Sequence, residues 1–119
     1  MKILILEDNS IRVEYFKQLF KHQYLHIYDD IHSAIINCQV NEFPVMFLDH
    51  DLDNKIWVNS EEENTGYNFI RLLIENNLQK GALIYIHSMN PIGSNKMLNL
   101  LKDNNRDGIW IPFHLIGKL

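Results

Sequence analysis

Val45-Met46-Phe47-Leu48-Asp49-His50-Asp51-Leu52-Asp53 is an apolar run that stops on a cluster of charge. Pro44 precedes it, and three carboxylates and an imidazole follow Leu48 within five residues. A short apolar run bounded by turn signals is the pattern of a buried strand. Charged side chains are seldom fully buried without partners. The strand therefore ends at about Leu48, and its carboxyl end opens on a polar site. Open α/β sheets bind their ligands outside the carboxyl ends of their strands. The same grammar recurs where Ile3-Leu4-Ile5-Leu6 runs into Glu7-Asp8-Asn9. It recurs again where Ala82-Leu83-Ile84-Tyr85-Ile86 runs into His87-Ser88-Met89-Asn90-Pro91.

Between these strands the apolar period changes. Asn9 or Ser10 suits the cap of a helix carrying Ile11, Phe16, Leu19 and Phe20 as its apolar stripe. Tyr24 to Tyr28 reads as a second strand, and Asp29 or Asp30 caps a second helix. That helix buries Ile31, Ala34, Ile35 and Cys38 at i, i+3, i+4 and i+7. Thr65 caps a third helix with Phe69, Ile70, Leu73 and Ile74 inward. A fourth helix is expected from about Ser94 to Asp103, with Met97, Leu98, Leu100 and Leu101 apolar. Asn104-Asn105-Arg106-Asp107-Gly108 is a turn cluster. Ile109-Trp110-Ile111 is a fifth short strand stopped by Pro112, and Phe113 to Leu119 are too few for a full amphipathic helix. Strands alternating with helices imply βαβ units and a parallel sheet covered on both faces. Residues 52–64 form the long irregular loop, with Ile56, Trp57 and Val58 as a short strand or a flap over the site.

At 119 residues and 46% hydrophobic content, residues 1–119 form one ordinary globular domain. A formal charge of −4 argues against duplex DNA or an anionic membrane as a surface-wide partner. No apolar run is long enough to span a bilayer, and no signal-peptide pattern opens the chain. A single cysteine, Cys38, leaves no disulfide framework and reads as a packed thiol. A cytoplasmic protein is expected.

If the first, third and fourth strands are neighbours, Glu7, Asp8, Asp49, His50, Asp51, His87 and Ser88 share one edge. Clustered carboxylates stay ionised only beside a cation, or one must take a proton. Glu7, Asp8 and Asp49 suit a hard divalent ion, Mg²⁺ first and Mn²⁺ as the alternative, which takes carboxylates, waters and phosphate oxygens. His50 lies between two aspartates and His87 leaves the fourth strand, so either suits general acid or base work, with Asp51 beside them. Ser88, Asn90 and, less distinctly, Thr65 suit a phosphate oxygen near helix starts. His22, His26 and His32 read as surface residues, and His114 is left open. There is no Walker loop, dinucleotide fingerprint or nucleophile elbow.

Lys2-Ile3-Leu4-Ile5-Leu6-Glu7-Asp8-Asn9 resembles the first strand and acidic metal pair of response-regulator receiver domains. Asp49 matches their phosphoacceptor, and Ser88 matches the hydroxyl residue ending their fourth strand. The resemblance implies a three-layer, flavodoxin-like fold with a five-stranded parallel sheet in the order 2-1-3-4-5, its final helix short or absent here. Receivers carry a lysine before the proline that follows strand five, whereas Ile111 precedes Pro112 here. With Leu48-Asp49-His50-Asp51-Leu52 and His87-Ser88-Met89-Asn90, the chain looks like an offshoot of that fold. This offshoot is the cyclic-phosphate processing receiver domains of bacteria and their phages.

The resemblance implies a metal-assisted phosphoesterase acting on RNA 2′,3′-cyclic phosphate ends or cyclic nucleotides. Its partner would be a phosphate-containing small molecule or an RNA end. A variant reads Asp49-x-Asp51 as nucleophile plus acid/base, as in haloacid-dehalogenase phosphatases, although their motif follows the first strand. Two alternatives come from other classes: a single-domain receiver phosphorylated on Asp49 that signals through a protein partner, and a module that binds a cyclic nucleotide without hydrolysis.

Overall fold

Strands and helices alternate through most of the chain: β1 (Lys2–Leu6), α1 (Ser10–Leu19), β2 (Tyr24–Tyr28), α2 (Ile31–Cys38), β3 (Val45–Leu48), α3 (Gly66–Glu75), β4 (Leu83–Ile86), α4 (Pro91–Asp103) and β5 (Asp107–Trp110). A 3-10 helix, Phe113–Lys118, closes the chain. The computed structural model describes residues 1–53 and 55–119; Asn54, part of the expected irregular loop, lies outside the described residues. The strands form one parallel sheet in the order β2-β1-β3-β4-β5.

Strand residues alternate between two layers. Leu4, Leu6, Met46, Leu48, Ile84 and Ile86 face α2, α3 and α4, where they meet Ile31, Phe69 and Met97. Ile3, Ile5 and Phe47 face the other way, onto Phe16 of α1 and Ile116 of the closing 3-10 helix. The short terminal helix thus shares with α1 the covering of this face.

Helix starts follow cap chemistry. The side chain of Asn9 accepts from the amides of Ile11 and Arg12, Asp30 from those of His32 and Ser33, and Thr65 from that of Asn68. Asn90 caps α4, which begins three residues before the expected Ser94. Pro91 fits the first helical turn because no amide is needed there. The fifth strand begins at Asp107, inside the expected turn cluster, where Leu83 pairs with Asp107 and Ile84 with Gly108. The stripe expected on α1 is also narrower: Ile11 is 79% exposed, while Phe16 is fully buried and Leu19 and Phe20 are half-buried. His26 is half-buried and packs edge-on against Phe43, with ring centroids 5.0 Å apart, instead of lying on the surface. Cys38 is buried, and burial pushes its thiol up to about 12, as expected of a packing residue.

Candidate functional site

The sheet ladder runs one residue past three strands. Glu7 N donates to Tyr28 O at 2.9 Å, Asp49 N to Leu6 O at 3.0 Å, and His87 N to Leu48 O at 3.1 Å. Side chains alternate along a strand, so Glu7, Asp49 and His87 continue the rows of Ile5, Phe47 and Tyr85. All three therefore emerge on the α1 side. Their ligand atoms lie within 4.8 Å of one another, and all three residues are buried.

Glu7 is held ionised there. Its Oε2 accepts from the amides of Asp8 and Asn9, both at 3.1 Å. Its Oε1 lies 2.9 Å from Nε2 of His87 and 3.5 Å from the Arg12 guanidinium. Burial alone would raise its pKa, but His87, the Asn9 amide and Arg12 outweigh that and bring it from 4.5 down to about 2. Asp49 goes the other way. Burial, helped by the Glu7 charge, pushes its carboxyl from 3.8 up to about 6, although His87 and Arg12 oppose the shift. Arg12 also reaches Asp49 Oδ2 at 3.5 Å, and it lies over the Phe113 ring at 5.7 Å. Among the described residues, Nδ1 of His87 is buried without a hydrogen-bond partner. The ring itself packs edge-on against Phe16, at 5.4 Å between centroids.

His50, one residue beyond Asp49, falls on the opposite side of the sheet. Its ring is fully buried. Nδ1 lies 2.7 Å from Asp51 Oδ1, and Nε2 lies 2.8 Å from the Ser60 hydroxyl. A Cβ on Gly93 would come within 2.5 Å of the ring, so α4 can start against His50 only because position 93 is glycine. Asp51 uses both oxygens to hold the following loop: Oδ2 accepts from Trp57 N at 2.8 Å, and Oδ1 from Val58 N at 3.2 Å. Asn90 links the two walls, donating to Asp51 Oδ1 at 3.1 Å and to Val58 O at 2.9 Å. An isolated bridge between Asp51 and Thr65 closes the base of the loop. The loop is a flap rather than a strand, with Val58 tucked in and Ile56 and Trp57 outward.

A cleft of about 240 Å³ opens over these groups, lined by residues that include Asp8, Arg12, Asp49, Asp51, Lys55 and Asn90. Of the expected site residues, Asp8, Asp49, Asp51 and Asn90 thus face the cleft. Glu7 and His87 lie buried beside Asp49. The convergence of ligand atoms unites Glu7 and Asp49 with His87, where Asp8 was expected. His50 stands behind the loop. The Ser88 hydroxyl accepts from Asn90 N at 3.1 Å. Thr65 is fully buried, its hydroxyl donating to Glu62 O at 3.3 Å and accepting from Asn68 N at 3.1 Å. His114 is exposed on the closing 3-10 helix.

Sequence reasoning missed Arg12, Lys55 and Ser60. Arg12 left a signal: it sits in the first turn of α1, where the helix dipole disfavours a cation, so a nearby anion had to hold it. Ser60 left none, because its partner comes from ten residues earlier across an irregular loop.

Comparisons with solved structures agree with the sheet order and layers. A CheY-like response regulator receiver domain from Methanospirillum hungatei is 13% identical, with 98% of this chain and 84% of that chain covered at a TM-score of 0.72. Chemotaxis protein CheY4 of Vibrio cholerae is 18% identical, with 93% and 84% covered at 0.66. A response regulator protein from Burkholderia pseudomallei, solved with a phosphorylated aspartic acid, calcium ion and citrate, is 13% identical, with 92% and 58% covered at 0.66. These likenesses establish the receiver fold. A search of curated proteins gives no match. Among the described residues no helix is long and apolar enough to cross a membrane. Residues 3–103 match the model of the cyclic-phosphate processing receiver domain, and the chain belongs to that family.

Proposed function

We propose that the cleft binds a phosphate ester beside a divalent cation and hydrolyses it, with a cyclic phosphate as the substrate class. The observation that carries this reading is the convergence of Glu7, Asp49 and His87 ligand atoms within 4.8 Å beneath a cleft that also holds Arg12 and Lys55. The donor set fits a divalent cation on two counts. Asp49 carries a carboxyl that burial makes costly to ionise, and His87 brings an imidazole nitrogen in among the carboxylates, its Nε2 2.9 Å from Glu7 Oε1. Glu7, Asp49 and His87 would hold the ion, with Asp8 at the mouth of the cleft. Mg²⁺ suits the carboxylates, and the imidazole also admits Mn²⁺. Such an ion supplies Lewis acidity and an acidified water.

The chain's own residues do the rest. Arg12 offers phosphoryl oxygens the forked donor geometry that suits them, and Lys55, which pairs with Glu62 at 3.0 Å, would exchange that partner for the phosphate. Asn90 and Asp51 keep the loop that carries Lys55 in place over the cleft. Hydrolysis forms one bond from water oxygen to phosphorus and breaks one ring ester bond; the proton lost by water ends on the leaving oxygen.

A second reading has an observation of its own. Asp49 directly follows β3 and lines the cleft, and the similar Burkholderia protein was solved with a phosphorylated aspartic acid and a calcium ion. Here Asp49 would take a phosphoryl group and the chain would signal through a protein partner. In that role Arg12 would stand where receivers use the lysine that this sequence replaces with Ile111.

One experiment separates the readings. The full chain is incubated with a nucleoside 2′,3′-cyclic phosphate or with acetyl phosphate, each with Mg²⁺, with Mn²⁺ and with chelator. Metal-dependent ring opening, lost in Asp49→Asn, supports the esterase. A stable acylphosphate on Asp49 without ester turnover supports the receiver. Ring opening that survives Asp49→Asn removes the assignment.

A further inference from the structure

The ester site accounts for the floor of the cleft but not for its rim. Ile56, Trp57 and Met89 line the same cleft and are 79%, 65% and 64% exposed. They come from two separate loops, so no single amphipathic element explains why apolar groups gather here. Core packing does not account for them either, because Val58 is the residue of this stretch that the loop buries.

Trp57 has a second anomaly. Its backbone sits at φ 56, in the left-handed region that bulky side chains seldom enter. The Asp51 carboxylate sustains it, accepting from the Trp57 and Val58 amides in succession. The two amides go to the two oxygens of one carboxylate, which ties down this turn while Trp57 stays exposed in the lining of the cleft. Strain of this kind persists only where the surroundings over-determine it, and it gathers at ligand clamps.

The occupant follows from size and chemistry. About 240 Å³ lies just below the usual range for small-molecule sites and is too small to be filled by a folded partner. The cleft lining holds two cations, Arg12 beside Glu7 and Asp49 and Lys55 paired with Glu62 at 3.0 Å, together with an indole, a branched alkyl group and a polarisable thioether. A ligand that satisfies both kinds of group has an anionic head and a flat π-face. We propose that Trp57 is a stacking platform for the base of a nucleotide whose phosphate lies at Arg12 and Lys55. This inference rests on the phosphate-ester reading of the same cleft and narrows it from cyclic phosphates in general to those carrying a nucleobase. Every base has a π-face, so the platform tolerates different bases. Asp51 is then a positioning residue that acts through the loop.

Calorimetric titration of the full chain tests this at low temperature, with Mg²⁺ and with chelator. The probes are adenosine 2′,3′-cyclic phosphate and the base-free ethylene cyclic phosphate. Trp57→Ala is expected to weaken adenosine cyclic phosphate by about ten-fold or more, the size of one base–aromatic stack, and to leave the base-free probe unchanged. Trp57→Phe should keep most of the affinity. Because Trp57 is largely exposed, loss of folding does not cloud the comparison, and a thermal melt of each variant checks that directly. Wild-type chain that binds both probes equally, or a nucleotide affinity indifferent to Trp57→Ala, overturns the platform while leaving the phosphate site standing. Failure of the wild-type chain to bind either probe removes the phosphate site, and the platform with it.

Discussion

His87 and His50 leave neighbouring strands, and the sheet register sets Asp49 beside His87 and His50 one step further on. That single step puts them on opposite faces. His87 shares a buried pocket with two carboxylates and an arginine, has one nitrogen 2.9 Å from Glu7, and leaves the other unpaired among the described residues. His50 has both nitrogens engaged, at 2.7 Å to Asp51 and 2.8 Å to Ser60, in a network that pins a loop and backs onto α4. The difference teaches that two imidazoles at one sheet edge need not share a task. A fully satisfied ring rigidifies its surroundings, whereas a ring set among carboxylates with one nitrogen unspent still has a bond to offer.

Three measurements can break or sharpen this contrast. The largest effect is expected from His50→Leu, which removes the partner of a carboxylate and a hydroxyl inside the protein. It should lower unfolding free energy by about 3 to 4 kcal/mol in urea titration. His87→Gln retains a donor for Glu7 and should cost about 1 kcal/mol or less. Equal losses in the two variants would erase the distinction between the rings.

Asp49→Asn comes next, and its sign is unusual. A carboxyl whose folded pKa is raised from 3.8 to about 6 favours the protonated form. Its stabilising contribution is complete below 3.8 and disappears as pH rises through 6. At pH 7 without divalent metal, the Asn variant should therefore be more stable than the parent by about 2 kcal/mol, with the gap closing as pH falls toward 4. Glu7 behaves oppositely: lowered from 4.5 to about 2, it stabilises above 4.5 and loses that contribution as pH falls toward 2. Melting curves across pH separate the two, and a parent more stable than Asp49→Asn at pH 7 would show that Arg12 and His87 already compensate the charge. A small effect, comparable to that of His87→Gln, is expected for Ser60→Ala, about 1 kcal/mol for a neutral hydrogen bond to His50. That amounts to a melting shift of several degrees for a domain of this size.

Much of the sheet edge was legible from residue order. Runs such as Val45–Leu48 ending on charge marked the strands and the three carboxyl ends that meet, and Asn9 or Ser10, Asp29 or Asp30, and Thr65 marked helix starts, with Asn9, Asp30 and Thr65 the caps observed. Period-two alternation also held the information that separates His50 from Asp49, since consecutive positions face opposite ways. Proximity in sequence had suggested a common site instead. The loop between Asp51 and Thr65 was not legible. Its form depends on one carboxylate gathering amides six and seven residues away, and no local propensity encodes such a return. The Asp107-Gly108 start of β5 was hidden for a related reason: pairing with Leu83 and Ile84 overrode the turn preference of those residues.

Asn90 joins the walls of the cleft through its amide group and caps a helix of thirteen residues through its carbonyl oxygen. Asparagine side chains age by deamidation when the next residue's backbone nitrogen attacks the side-chain carbonyl, and Pro91 has no N–H with which to do so. The proline that opens α4 thus also spares this fastening from slow chemical decay. In stored protein, peptide mapping should find Asn90 intact while asparagines in exposed turns, such as Asn104 and Asn105, accumulate aspartate and isoaspartate.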